Sequence, residues 1–549
     1  MNSIPFVFGG ETMNTKRTLI VGTTLLATLL AACAPAATPT PIAGVPLQPT
    51  RAAQPTSAPQ LIVGTQIVEQ RPIAPAATAA PAGEYLHPAP TPAPTSADMF
   101  FQPYGVNPFV DTSEDHFSTF AMDVDTASYT LARKYVEEGN LPPADAIRVE
   151  EFINYFEQDY ALPTDLAFGL YADGAPSPFH TDGSYLLRFG VQGYDVAESQ
   201  RQPAALTLVI DTSGSMSQGN RLELVKQSLQ LLVDRLRPDD SVAIVAYSTE
   251  ARVVLPPTSG ADRYAILNAI APLYPEASTN AEAGLRLGYQ LAESMLKPGA
   301  TNRVILLSDG VANVGPTGPE AILESIGWYA KEYGVTLTSV GVGMGNFNDV
   351  LLEQLADKGN GNYVYVDDLD EARKLFIDNL VSTLQVIALD AKIQVDFNSE
   401  TVARYRLIGY ENRAVADSDF RNDAVDAGEI GAGHTVTALY AVQLRPNAHG
   451  RLATMQMRWK DPQTYEVREI NGNFNTWDLA ATFEQASPRY QTAVVVAQYA
   501  EVLRRSPWAN GTPLSLISAH AQRLTTLLPY DGEIAEFARL TQRAWQLGW

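Results

Sequence analysis

Apolar and polar positions follow different rhythms in different parts of this chain. Between residues 203 and 385, short apolar runs alternate with segments of helical period. AALTLVI (204–210) has almost no polar face, as a strand buried on both sides requires. Leu222, Val225, Leu229, Leu232 and Leu236 then recur at helical spacing. SVAIVAY (241–247) and ARVVL (251–255) stand three residues apart, which predicts a hairpin with the second strand at a sheet edge. Helical patterns at 262–271 and 281–296 follow, then strand 303–308, a helix over 319–332, strand 335–342, a short helix near 348–357, strand 362–366 and a last helix from about 368 to 384. The alternation predicts a doubly wound α/β domain over 203–385, with a mostly parallel sheet of order 3-2-1-4-5-6.

The flanks read differently. Residues 98–163 suggest a strand and two helices, and SYLLRFGVQGYDV, within 164–202, alternates as a strand should. From 386 to 481 strand-like runs separated by turns predict an antiparallel β domain, and 482–549 read as three amphipathic helices. Neither 164–198 nor 389–470 has strands enough for a comfortable sandwich alone. The expectation is one β domain joined by ladder hydrogen bonds between them, with the α/β block inserted into it.

The amino-terminal part has no globular rhythm. Lys16 and Arg17 precede an apolar segment, Leu19 to Ala32, too short to span a bilayer comfortably and shaped like a signal-peptide core. Residues 1–12 look like an over-extended start. LAAC (Leu30 to Cys33) resembles a bacterial lipobox, which implies lipidation of Cys33 after removal of the signal peptide, and anchorage on the outer face of a membrane. Residues 34–97 carry 14 of the 37 prolines and four charged residues, the composition of an extended linker reaching roughly 200 Å at about 3.1 Å per residue. Cys33 is the single cysteine, so a disulfide within the chain and a cysteine zinc site are excluded. Sixty-one acidic against 38 basic residues give a net charge of −23, which argues against nucleic acid as a partner.

The chemistry collects at the switch point of the predicted sheet. Strand 1 ends on Asp211 in LTLVIDTSGSMS, and strand 4 ends on Asp309 in LLSDG. Ligands bind beyond the carboxyl ends of such neighbouring strands. Ser213 and Ser215 follow Asp211, with Gly214 expected to turn the loop tightly, and EASTNAEAGL would bring Thr279 to the same edge. Five oxygen donors with no His or Cys suit a hard cation: Mg²⁺, with Mn²⁺ or Ca²⁺ as alternatives.

This set resembles the metal-ion-dependent adhesion site (MIDAS) of von Willebrand factor type A (VWA) domains: Asp-x-Ser-x-Ser, a distant Thr and a distant Asp. The resemblance covers about a third of the chain, and no position departs from the pattern. It implies a cation held directly or through water by Asp211, Ser213, Ser215, Thr279 and Asp309, with one coordination place left for a carboxylate of a protein ligand. The flanks, with FAMDVDTASY before the domain and RNDAVDAGEIGAGHTVTALY (421–440) after it, resemble a bacterial lipoprotein subfamily whose carboxy-terminal region has no assigned function.

Other motifs fall away. DVDTAS (123–128) has Ala127 and Lys134 where a calcium loop needs oxygen donors, and is read as capping the helix at 126–138. GVGMGN (341–346) lacks the dinucleotide spacing, and SMLK (294–297) has no companion motif. A serine hydrolase needs a histidine base, and no histidine lies between residues 181 and 433. The reading is therefore a non-enzymatic, extracytoplasmic lipoprotein that binds a protein or acidic ligand through a divalent cation. A structural scaffold with a stabilising metal, and a metal-dependent hydrolase, are the rivals.

Overall fold

A computed structural model describes residues 60–61, 99–164, 166–276, 278–310, 319–344 and 348–548. Cys33, the signal segment and nearly all of the linker lie outside the described residues.

The α/β layer is a six-stranded sheet in the order Tyr363–Val366, Val335–Val342, Thr301–Ser308, Ala204–Asp211, Ser241–Tyr247 and Ala251–Ser259. Five strands are parallel and the last, at the edge, pairs antiparallel with Ser241–Tyr247. Every residue of Ala204–Asp211 is buried, because helices cover both faces. Leu222, Val225, Leu229 and Leu232 of helix Arg221–Arg235 pack on one face. Leu285 and Tyr289 of helix Ala281–Ser294 pack on the other. Each such apolar side chain contributes about 1.5–3 kcal/mol by leaving water. Gly284 lets the second helix approach closely, since a Cβ there would meet the Tyr247 ring at 2.5 Å.

The expected last helix is broken into Leu369–Arg373, a wider π turn Lys374–Asp378, and Leu380–Leu384. Asn379, at φ −102° and ψ 14°, leaves the helical region between the last two.

The other two sheets are antiparallel. The first runs Gln60–Leu61, Phe168–Pro176, Tyr185–Gly193, Thr435–Leu444, Val402–Ile408 and Val110–Asp111. Its central ladder joins Tyr185–Gly193 to Thr435–Leu444, from Thr435↔Gln192 to Val442↔Tyr185. The second runs Gly428–Gly431, Val386–Phe397, Arg451–Lys460 and Val467–Asn475, with Phe117–Ala121 also pairing on Val386–Phe397. Their facing sides share one core that includes Phe189, Tyr440, Val395 and Met457. The chain thus leaves the first sheet at Gly193, builds the α/β layer, and re-enters the β domain through the second sheet at Val386.

The other face of the first sheet is covered by carboxy-terminal helices Pro488–Leu503, Leu514–Leu527 and Gly532–Gln546. This corrects two expectations. Tyr185–Gly193 is buried on both sides rather than half-buried, and Pro488–Leu503 is buried nearly all round rather than amphipathic. The first sheet is the middle of a three-layer stack, and Pro488–Leu503 is enclosed between that sheet and neighbouring helices. A third difference falls in the linker: Gln60–Leu61 pairs with Ala172 and Tyr171. These two residues open a proline-free window, 60–71, and a ladder needs the N–H that proline lacks.

Candidate metal centre at the sheet switch point

The central strand Ala204–Asp211 carries its carboxylate to the mouth between itself and Thr301–Ser308. Asp211 is completely buried there. Its Oδ1 accepts the Ser213 N–H at 2.8 Å, and its Oδ2 accepts the hydroxyls of Ser308 at 2.8 Å and Tyr247 at 3.2 Å. Among the described residues no Lys, Arg or His pairs with it. Burial, and then the charge of Asp309, push its carboxyl up to about 6.

The two serines continue the set. Ser213 Oγ and Ser215 Oγ are 2.9 Å apart, and Ser215 Oγ donates to Asp309 Oδ1 at 3.0 Å. Asp309 is also buried, which raises its pKa, while Ser215 and Arg221 pull the other way. Arg221 Nη1 donates to Asp309 Oδ2 at 2.5 Å. Gly214 does not make the sharp turn expected of it. It opens a 3₁₀ stretch, Gly214–Asn220, and the left-handed residues are Gly219 and Asn220, at φ 54° and 59°. None of Asp211, Ser213 and Ser215 caps the helix that follows, which begins at Arg221 behind Asn220.

Thr279 is half-buried just before helix Ala281–Ser294, whose amino terminus is capped by Asn280 through the Ala283 N–H at 3.1 Å. Its loop is tied to the site loop by the Glu276 N–H on the Thr212 carbonyl at 2.6 Å. The four other residues form one connected hydrogen-bonded group, and Thr279 stands beside it without a described bond to it.

The donor set fits a small hard cation. Octahedral ligands at 2.0–2.1 Å from Mg²⁺ place neighbouring oxygens about 2.9 Å apart. That is the spacing between the two serine hydroxyls, and nearly that from Ser215 to Asp309. Three residues here escape sequence reading: Tyr247, Ser308 and Arg221. Only Arg221 leaves a sequence signal, a cation at the first position of a helix, where the dipole disfavours it.

DVDTAS is not a cap, since Thr126 makes no side-chain capping bond. Asp123 and Asp125 instead take the guanidinium of Arg413 at 3.0 and 3.4 Å, and Asp125 accepts the Tyr363 N–H at 2.8 Å. The partner lies 290 residues from Asp123, too far along the chain for a local motif to reveal. A further group, Asp390, Asp426 and Glu429, brings carboxylate oxygens within 4.8 Å of one another beside a cleft of about 1110 Å³, but Lys460 already bonds Asp390.

Comparison with known proteins identifies the domain that carries these residues. A model described as von Willebrand factor type A domain matches residues 205–408, and one described as von Willebrand factor matches 95–188. A model of the carboxy-terminal region of the uncharacterized protein YfbK matches 382–450. The uncharacterized protein YfbK of Escherichia coli (strain K12) is 36% identical over 471 residues, covering 81% of this chain and 80% of its own. Human inter-alpha-trypsin inhibitor heavy chain H4 is 31% identical over 132 residues, 23% of this chain and 14% of its own. A solved von Willebrand factor type A protein from Catenulispora acidiphila covers 70% of this chain and 91% of its own at 16% identity, with a TM-score of 0.40. Proteins with this domain are typically binding or adhesion proteins rather than enzymes, and commonly use a metal ion at the adhesion site.

Proposed function

We propose a function from the premise that this chain belongs to the YfbK family of von Willebrand factor type A proteins: it binds a protein ligand through a divalent cation at Asp211, Ser213, Ser215, Thr279 and Asp309. The observation that carries this reading is the run of oxygens 2.9–3.0 Å apart drawn from two chain segments, beside the buried carboxylate of Asp211, which has no cationic partner among the described residues. A hard cation such as Mg²⁺ supplies, when bound, a position for a carboxylate oxygen of the partner. Asp211 and Asp309 supply the negative charge, the serines supply neutral oxygens, and Tyr247 and Ser308 fix the Asp211 rotamer. No histidine lies between residues 181 and 433 of the sequence to serve as the base a hydrolase would need.

Calorimetric titration of the full chain with Mg²⁺ tests the site. Ser213→Ala and Asp309→Ala are each expected to weaken binding at least about tenfold, because each removes an oxygen from a near-octahedral set. Parent-like affinity in both variants rejects it. The envelope location is part of the same proposal, with Cys33 as the lipid-bearing residue. Cys33→Ser is expected to move the protein from the membrane to the soluble fraction. Among the described residues no helix is long and apolar enough to cross a membrane. A variant that stays membrane-bound removes the lipid anchor from the proposal.

A further inference from the structure

Arg221 stands in a costly place. It is the first residue of helix Arg221–Arg235, at the end where the dipole is positive, and its side chain is only 8% exposed. Such a cation is retained against both costs only if its partners need it. The guanidinium joins three separate pieces of the site rim. It donates to Asp309 Oδ2 at 2.5 Å, to the Ser215 carbonyl at 3.4 Å, and to the Met344 carbonyl in the turn after strand Val335–Val342. That turn is shaped around it: Gly343 has φ +77°, and a Cβ there would lie 2.2 Å from Arg221 Nε.

The carboxylate of Asp309 is therefore divided. Oδ1 faces Ser215 and the donor set, and Oδ2 is taken by Arg221. One oxygen serves the site while the other is neutralised from behind. The two buried carboxylates would offer a divalent cation two negative charges, and Arg221 reduces this to one.

We propose that Arg221 is a positioning residue that limits the affinity of the metal centre: it orients Asp309 through the outer oxygen, subtracts one charge from the site, and links its occupancy to the 343–344 turn. This deepens the metal reading above and rests on it. A divalent ion and the guanidinium share Asp309, so loading the site weakens the hold of Asp309 on Arg221. The turn at Gly343 and Met344, which Arg221 also holds, then feels whether the site is filled. The alternative is a plain brace, in which Arg221 only joins the helix start to the turn.

The two roles give opposite signs. Arg221→Gln keeps hydrogen-bonding capacity and removes the charge. It is expected to tighten Mg²⁺ binding on the order of tenfold, as loss of one like charge next to a divalent ion should. Arg221→Lys keeps the charge and is expected to stay within about threefold of the parent. Should Arg221→Gln fail to fold, Arg221→Met removes the same charge while keeping an aliphatic stem against Gly343. The measurements are Mg²⁺ calorimetry on the full chain at fixed ionic strength, and amide exchange over 341–344 with and without Mg²⁺. Tightening in the neutral variant, with a Mg²⁺-dependent change at 341–344 in the parent, supports the proposal. Unchanged or weaker binding in a folded neutral variant, while the parent binds normally, overturns it and leaves the metal site standing. Mg²⁺ binding in neither parent nor neutral variant rejects the metal reading, and this inference with it.

Discussion

Two buried acidic clusters in this protein differ in how fully their carboxylates are paired. At the junction of the amino-terminal extension, the α/β layer and the β domain, arginines answer the carboxylates. Arg413 meets Asp123 at 3.0 Å, Asp125 at 3.4 Å, Glu353 at 3.6 Å and Asp357 at 2.5 Å. Arg148 meets Asp349 at 2.6 Å and also bonds Glu151. At the sheet switch point Arg221 answers Asp309, but Asp211, buried just as deeply, accepts only from neutral donors among the described residues. A paired cluster holds parts of a fold together. An unpaired carboxylate at the mouth of a sheet carries a cost that a bound cation would relieve.

The largest effect expected from this contrast is on stability at the junction. Arg413→Ala leaves several buried carboxylates without their partner and should cost about 3–5 kcal/mol in urea denaturation at pH 7. A loss below about 1 kcal/mol would mean that the junction is not a clasp.

Asp211→Asn should act in the other direction on the metal-free protein, stabilising it by about 3 kcal/mol at pH 7 while abolishing its response to Mg²⁺. The pH dependence follows from the raised carboxyl. Burial and Asp309 move it from 3.8 to about 6, so the folded state holds more protons between those values. Its contribution to stability is present below pH 3.8 and is lost as pH rises through about 6. The difference between parent and variant should therefore open across that window and close again near pH 4. Denaturation curves from pH 4 to 8 without metal check this, and a constant difference contradicts it.

The smallest effect separates members of the site. Thr279 has no described bond to the connected group, so Thr279→Val should weaken Mg²⁺ binding by only about threefold, against at least about tenfold for Ser213→Ala. Equal losses in calorimetry would place Thr279 on the same footing as the serines.

The contrast also marks what a sequence can disclose. The α/β strands were legible because a strand buried on both faces is apolar almost throughout, as AALTLVI shows. Asp211, Ser213 and Ser215 were legible because they are consecutive in one loop, and Asp309 because its strand ends beside theirs. Arg413 was invisible as a partner of Asp123, since the pair forms only when segments hundreds of residues apart fold together. Tyr247 and Ser308 lie inside ordinary strand patterns, and a hydroxyl serving a neighbouring carboxylate leaves no periodic trace. Helix Pro488–Leu503 reads as amphipathic in sequence because its polar Gln491, Gln498 and Glu501 suggest a wet face. They are buried and bonded instead: Gln491 to the Ala486 carbonyl, Gln498 to Thr512, and Glu501 to Arg504 and Ser506.

The insertion of the α/β layer has a mechanical meaning. Its two crossings lie side by side: the Gln202 N–H donates to the Gln385 side chain at 2.9 Å, and Thr301 Oγ1 donates to the Leu384 carbonyl at 2.6 Å. Asp211 is at the opposite end of the strand that starts at Ala204. Tension between a partner held at Asp211 and the β domain would run along that strand. Its ladders with Ser241–Tyr247 and Thr301–Ser308 would then be loaded lengthwise, all bonds together, rather than peeled open one at a time.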